Sequence, residues 1–387
     1  MNILVLGNGF DLAHDLPTSY KEFLDFTKAY EKYKDVCMAK EGVKEAWEKA
    51  NDTNKDYILY FANLCDKNKK LFLEFNELTA DNLWLKHFCE VKLKQGWIDF
   101  ESEISRIIQM LESVRFQVVE GKKEGKMVIH VPKYQEEALK GFRVDSTIIE
   151  SFKFVDGTKE RLHDDLNRII RCLEIYLCDY VGNIEIEKKQ PDIEGLPIID
   201  KVLSFNYTNT YEKLYCKNPY VEYDYIHGRA KIENTVDSNN MVLGIDEYLK
   251  GDSRNENIEF IEFKKFYQRI HKETGCLYRN WVDTIESDES ISETIAIYKE
   301  QEKTIRKTKQ VGFHKVFFFG HSLDVTDKDI IRDLILQDKV KTTIFYRDKS
   351  DYGQKITNLV KIIGQDQLIK RTGGANKSIY FEEIKKE

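Results

Sequence analysis

The sequence predicts an α/β protein, a Rossmann-like parallel sheet flanked by helices, with a large and mainly helical insertion after the first strand and helix. Three observations carry this. The opening run Ile3-Leu4-Val5-Leu6 is apolar at every position, as strands buried on both faces are. Short polar or glycine-bearing segments follow such runs four times: Gly7-Asn8-Gly9-Phe10-Asp11, Phe205-Asn206-Tyr207-Thr208, His227-Gly228 and Gly320-His321-Ser322-Leu323-Asp324. Towards the C-terminus, Val316 to Phe319, Ile330 to Leu336, Thr342 to Tyr346 and Ile356 to Ile363 alternate as strand, helix, strand and helix, the signature of a parallel sheet wrapped by helices.

In chain order, the first strand covers about residues 2 to 6 and gives way to the Gly7 to Asp11 turn. Ser19 and Glu22 have the spacing of a capping box, with Tyr20, Phe23, Leu24 and Thr27 at helical spacing behind them, so a helix starts near Tyr20. From there to about residue 181 the pattern is helical and highly charged, and Leu162, Leu166, Ile169, Ile170, Leu173 and Leu177 share one stripe. Between about 120 and 157 the pattern weakens, with a strand-like run at Met127 to Val131 and turn signals at Gly121, Gly125 and Gly141. Gly182 to Pro197 reads as the loop that returns to the sheet, and strand-like runs resume at Val202 to Phe205, Val221 to Ile226 and Met241 to Ile245. A second helical, charged stretch is expected over about 254 to 309. The expected division is a nucleotide-binding part over 1–17 and 198–387, a helical insertion over 18–197, and a helical sub-insertion over 254–309.

Composition narrows the function classes. The 387 residues exceed what one core usually supports. A formal net charge of −7 provides no global positive field to draw the chain onto nucleic acid or an anionic membrane. The seven cysteines form no CxxC pair, which fits neither a zinc ribbon nor a disulfide framework. Ile3 to Leu6 is too short for a signal-peptide core, and no window approaches the roughly 20 apolar residues of a membrane span, so cytoplasm is the expected compartment.

Each of the four segments admits a chemical and a plain structural reading. Gly7-Asn8-Gly9, between a strand and a helix, suits close backbone approach to a diphosphate, with Phe10 beside it; it equally suits an ordinary tight turn, since the third glycine of the dinucleotide fingerprint is absent. Asp11 is either a helix cap or a carboxylate meeting a ribose or a developing positive charge. Asn206 either orients a water or ribose hydroxyl or caps the helix that begins near Thr210. His227, before Gly228, has the side chain of a general base, although a lone histidine is often structural. Gly320, His321 and Ser322 repeat the strand, glycine turn, helix arrangement and would bind a second phosphate or ribose. The nucleophile-elbow pattern is not met there, because residue 324 is Asp rather than Gly. Asp99 and Glu101 lie two apart and would not face each other on a helix, which favours capping by Asp99. No histidine spacing points to a metal, and no metal is expected.

With these residues in view, the chain resembles the AbiH family of bacteriophage abortive-infection proteins. The run from Gly7 through Asp11, His14 and Pro17 to Tyr20 is similar to the family's opening, and Phe205 to Thr208, Ile226-His227-Gly228 and Phe319 to Leu323 also match. A more distant resemblance is to the sirtuin-like NAD-binding superfamily. That resemblance implies a dinucleotide on Gly7 and Gly9, Asn206 and His227 with Gly228 at the nicotinamide ribose, and Gly320 with Ser322 at the adenosine side. The Gln and Asp that usually flank this Asn in sirtuin deacetylases are replaced by Phe205 and Tyr207-Thr208, and the zinc ribbon is missing, so protein deacetylation is not expected.

The expected function is an anti-phage effector that binds NAD or a related nucleotide and hydrolyses the nicotinamide N-glycosidic bond, with His227, Asn206 and Asp11 as catalytic residues. A phage-derived trigger or partner protein is implied, and a homo-oligomer is expected as one way to hold a self-toxic enzyme inactive. Two rivals stand beside it: a nucleotide-sensing or partner-binding module without chemistry, and a nuclease or RNA-targeting toxin using His227, His321 and Asp324.

Overall fold

A computed structural model describes residues 1–95, 98–116, 139, 141–142, 153–216, 218–249, 251–288, 296–300, 303–307, 312–374 and 377–385. The strand-like run at Met127 to Val131 lies outside them. Two compact units emerge: Met1–Leu16 with Glu185–Arg229 and Glu273–Glu387, and Pro17–Ile184 with Ala230–Lys272.

The first unit is built on six parallel strands, β1 (Asn2–Leu6), β2 (Lys201–Ser204), β3 (Glu222–Tyr225), β6 (His314–Phe319), β7 (Val340–Tyr346) and β8 (Ile379–Glu383), ordered β3-β2-β1-β6-β7-β8. Its fold is α/β, with a Rossmann-like parallel sheet flanked by helices. The chain steps outward from β1 through β2 to β3, then resumes at β6 on the other side of β1. That reversal makes the β1/β6 boundary a topological switch point, where doubly wound sheets place ligands beyond the strand ends.

Strand pleating explains the continuous apolar runs. Ile3, Val5, Leu203, Val316, Phe318 and Ile344 face one side, where they pack with Trp281 and Ile285 of a helix at Tyr278–Ser287, Ile331 and Leu334 of a helix at Lys328–Ile335, and Leu359 and Ile362 of a helix at Lys349–Ile363. Leu4, Leu6, Val202, Phe317, Phe319 and Phe345 face the other, against Phe10, Ile193, Tyr211 and Tyr215. Alternate residues thus feed two cores, and no strand position in the centre of the sheet can be polar without cost.

The second unit is mainly helical. Its first helix, Tyr20–Ala39, begins at the expected capping box: the Glu22 amide donates to Ser19 Oγ (3.3 Å) and the Ser19 amide to Glu22 Oε2 (3.0 Å). The expected stripe lies on the helix Lys153–Ile175, where Leu162, Leu166, Ile169, Ile170 and Leu173 are buried; Leu177 continues it into a π-helical turn at Tyr176–Tyr180. Asp99 caps the helix Phe100–Phe116, its Oδ1 accepting the Glu101 amide at 3.0 Å.

Two local expectations give way. Met241 to Ile245 forms no strand beyond a single bridge from Ile245 to Lys264, and it groups with the helical unit. The stretch expected to be helical over 254–309 is so only as far as Ser287; β4 (Ala296–Glu300) and β5 (Lys303–Lys307) then pair antiparallel, with Tyr298 opposite Ile305. Ile297, Tyr298, Thr304 and Ile305 supply the β-branched and aromatic content that favours strands there. The edge strand β8 follows a helix at Gln365–Thr372 and pairs with β7 from Thr342↔Ile379 to Tyr346↔Glu383.

Candidate functional site

Register brings the four singled-out segments to one edge of the sheet. Leu6 pairs with Ser204 on one side and with Phe319 on the other, and Ser204 pairs with Tyr225. Asn8, Asn206, His227 and His321 therefore each lie two residues beyond the paired ends of four adjacent strands.

The glycine turns are packed against each other. Gly7 N donates to Phe319 O (3.1 Å), Gly9 N to Gly320 O (2.8 Å), and Phe10 N back to Gly7 O (2.8 Å). A Cβ on Gly9 would lie 2.7 Å from Gly320 O, and one on Gly320 2.1 Å from Phe10 N; Gly320 also has φ +69. Close approach of the β1 and β6 turns accounts for these glycines. Three amides of the expected phosphate cradle are spent within the protein, and Phe10 is a core side chain 1% exposed. Asn8 and Ser322 are exposed in these turns.

Asp11 lies inside the short helix Gly9–Leu12, after the N-cap position held by Asn8, and so does not cap it. It is 1% exposed, and Thr208 Oγ1 donates to its Oδ2 at 2.6 Å. Burial pushes its pKa up to about 6, partly offset by the Thr208 and Thr210 hydroxyls. Asn206 does not cap the helix Thr210–Tyr215, whose N-cap is Asn209. Its side-chain Nδ2 donates instead to Gly7 O (3.0 Å) and Asp11 Oδ2 (3.2 Å). Both amide protons are thereby used and the orientation of the group is fixed. Asn206 Oδ1 and Asp11 Oδ1 remain buried without a hydrogen-bond partner. Both residues line a small cavity of about 10 Å³ with Leu6, Ser204, Thr208 and Tyr225. That is about the room a single water needs.

His227 belongs to a second cluster. It is 6% exposed, meets Phe205 edge-on at 5.5 Å, and places Nε2 3.5 Å from Asp327 Oδ1. His321 Nε2 lies 3.8 Å from Asp327 Oδ2, its ring 4.3 Å from that of Phe205. Consecutive residues thus serve the two clusters: Phe205 packs between the histidines, while Asn206 turns to Asp11. Gly228 has φ +79, the left-handed turn that ends this strand.

The Gly320 turn is held from outside. His321 Nδ1 accepts the Leu323 amide (2.9 Å), Lys355 Nζ donates to His321 O (2.6 Å), and Asn358 Nδ2 donates to Ser322 O (3.0 Å). Leu323 is kept at φ +56, a conformation a branched side chain adopts only under such constraint. Thr208 and Asp327 are the contributors that residue patterns did not single out, Thr208 because its motif drew attention to Asn206, Asp327 because it is one of several acids in a solvated-looking run.

His14 is structural. Its Nδ1 donates to Phe10 O (2.7 Å), and Tyr215 Oη donates to its Nε2 (2.6 Å) while accepting the Gln190 amide (2.6 Å). Burial lowers its pKa, so the neutral form that this chain of bonds requires is the favoured one.

Among the described residues, no helix is long and apolar enough to cross a membrane. No curated protein matches the chain significantly. The family described as bacteriophage abortive infection AbiH matches residues 3–347, a span that holds all four strand-end segments and both clusters. Motifs and match coincide over most of the sequence, and the chain belongs to the AbiH family of bacteriophage abortive-infection proteins.

Proposed function

We propose that this abortive-infection protein binds NAD or a related nucleotide at the C-terminal edge of its sheet and hydrolyses the nicotinamide N-glycosidic bond. The observation that carries this reading is the pair of unpartnered buried acceptors, Asn206 Oδ1 and Asp11 Oδ1, beside a water-sized cavity. Buried acceptors call for donors, and a ribose hydroxyl or a water supplies them. In the reaction the C1′–N bond breaks, nicotinamide leaves with the electron pair, and water oxygen bonds to C1′. His227 takes the proton that water loses, Asn206 orients the donor, and the Asp11 carboxylate stabilises the oxocarbenium-like charge. The exposed Asn8 and Ser322 would meet the remainder of the nucleotide, since the Gly7, Gly9 and Phe10 amides are engaged. Metabolic arrest of the infected cell would follow.

The geometry lends less to a nuclease with two histidines. The lone pair of His321 Nδ1 is engaged by the Leu323 amide, and Asp324 caps its own turn through the Thr326 amide at 3.0 Å. The test is release of nicotinamide from NAD by the purified chain, beside His227→Ala and Asn206→Ala. Loss of about 10²-fold or more in both variants is expected. Full activity in either variant would overturn the assignment of that residue. Thermal stabilisation by NAD with no product would favour a non-catalytic sensor.

A further inference from the structure

We infer that Asp327 is a positioning residue that holds His227 as its Nε2–H tautomer and so leaves Nδ1 as the basic atom. The inference rests on the reading of His227 as general base and adds to it the residue that prepares the base. Asp327 closes the 3-10 turn Val325–Asp327, about 100 residues from His227 in the chain, and its side chain is 10% exposed against 7% for His227 and 4% for His321. Its two carboxylate oxygens face two different imidazoles, Oδ1 towards His227 Nε2 and Oδ2 towards His321 Nε2.

The state of His321 follows from its other nitrogen. Nδ1 accepts the Leu323 amide, so in the neutral ring the proton sits on Nε2 and points at Asp327. His321 cannot take a proton at Nδ1 without breaking that bond, so it presents a fixed N–H towards the carboxylate. The other oxygen, Oδ1, is an acceptor aimed at His227 Nε2. It selects the tautomer protonated there, and the lone pair must then reside on Nδ1. Phe205, edge-on to both rings, limits their rotation. The 3.5 and 3.8 Å separations exceed hydrogen-bond length, but each Nε2 faces its own carboxylate oxygen. When His227 becomes an imidazolium, the same carboxylate faces the new charge.

The test uses the full chain with its histidines labelled, read by long-range proton–nitrogen NMR, beside Asp327→Asn and Asp327→Glu. Neutral His227 is expected as the Nε2–H tautomer in the wild type and in Asp327→Glu, and as a mixture or the Nδ1–H tautomer in Asp327→Asn. With NAD as substrate, Asp327→Asn should lose about 10²-fold in kcat with KM little changed, and Asp327→Glu should recover part of it. A wild-type His227 protonated on Nδ1 would overturn the inference without recourse to any variant, as would an unchanged tautomer in a folded Asp327→Asn. The NMR result stands whether or not NAD is turned over, so failure of the glycohydrolase reading and failure of this inference are separable.

Discussion

Thr208 Oγ1 lies 2.6 Å from Asp11 Oδ2, a hydrogen bond that joins the end of β2 to the turn after β1 across 197 residues of chain. It ties down a carboxylate that burial would otherwise leave protonated over a wider pH range. The pKa of Asp11 is raised to about 6, so the folded state holds its proton more tightly than the unfolded state does. The resulting cost is fully present above about pH 6 and disappears as pH falls below about 4, and a shift of this size corresponds to roughly 3 kcal/mol. Asp11→Asn keeps an acceptor for Thr208 without the charge. Its denaturation midpoint should exceed that of the wild type at pH 8, with the advantage shrinking towards pH 4.5. A variant less stable at pH 8 than at pH 4.5, relative to the wild type, would show that ionising Asp11 costs the fold nothing.

The contact between the β1 and β6 turns leaves no room for a side chain. A Cβ on Gly320 would sit 2.1 Å from Phe10 N, and the φ of +69 adds backbone strain. Gly320→Ala should therefore lose about 3–5 kcal/mol in chemical denaturation, near the upper end for single substitutions. A loss below about 1 kcal/mol would mean that the two turns separate readily and that their amides are available to a ligand after all.

This packing explains why some of the molecule was legible from residue patterns and some was not. Strands β1, β2, β6 and β7 lie inside a sheet covered on both faces, so Ile3 to Leu6 or Val316 to Phe319 must be apolar throughout and announce themselves. Strand β8 is an edge whose Glu382 and Glu383 are exposed, and only Ile379 is fully buried, which leaves a weak pattern. The β4–β5 hairpin is hidden in a charged stretch where helix and strand periods are both diluted. At the candidate site, Asn206 and Asp11 stand out as polar residues after apolar strands. The meaning of the glycines was ambiguous because a turn that approaches phosphate and a turn that approaches another backbone need the same missing Cβ. Asp327 has no local signature at all; its role is created by the parallel register that brings residues 227 and 321 to the same edge.

Within the helical unit, Arg171 and Glu174 form a buried pair at 2.7 Å, 1% and 0% exposed. Arg171 also reaches Glu74 (2.8 Å) and Ile232 O (3.0 Å), while Glu174 accepts the Lys231 amide (2.9 Å) and the side chains of Asn234 and Asn239. Removing one partner strands the other charge in the core, so Arg171→Met or Glu174→Leu alone should cost about 3–5 kcal/mol. The double variant should cost less than the sum of the two, with the remainder set by the stranded Asn234 and Asn239 amides. Strict additivity in a double-mutant cycle would rule out direct coupling.

Asn206 offers the sharpest separation of chemistry from architecture, because its two amide protons serve the fold and its oxygen faces the cavity. Asn206→Asp keeps the oxygen and removes the donors, placing a second carboxylate beside Asp11 Oδ2 and the Gly7 carbonyl. Like charges in a buried site raise pKa values, and one of the two must hold a proton. Asn206→Asp should therefore be less stable than the wild type by about 2–4 kcal/mol at pH 8 and recover part of that loss at pH 5, where a shared proton restores a hydrogen bond. Asn206→Ala brings no second carboxylate, so its recovery should be smaller, limited to an Asp11 that has lost one donor. If NAD hydrolysis requires the acceptor alone, Asn206→Asp should regain measurable activity at pH 5 while Asn206→Ala stays inactive. Equal activity of the two variants at every pH would remove the oxygen from the mechanism and leave Asn206 as a strut between the β1 and β2 turns.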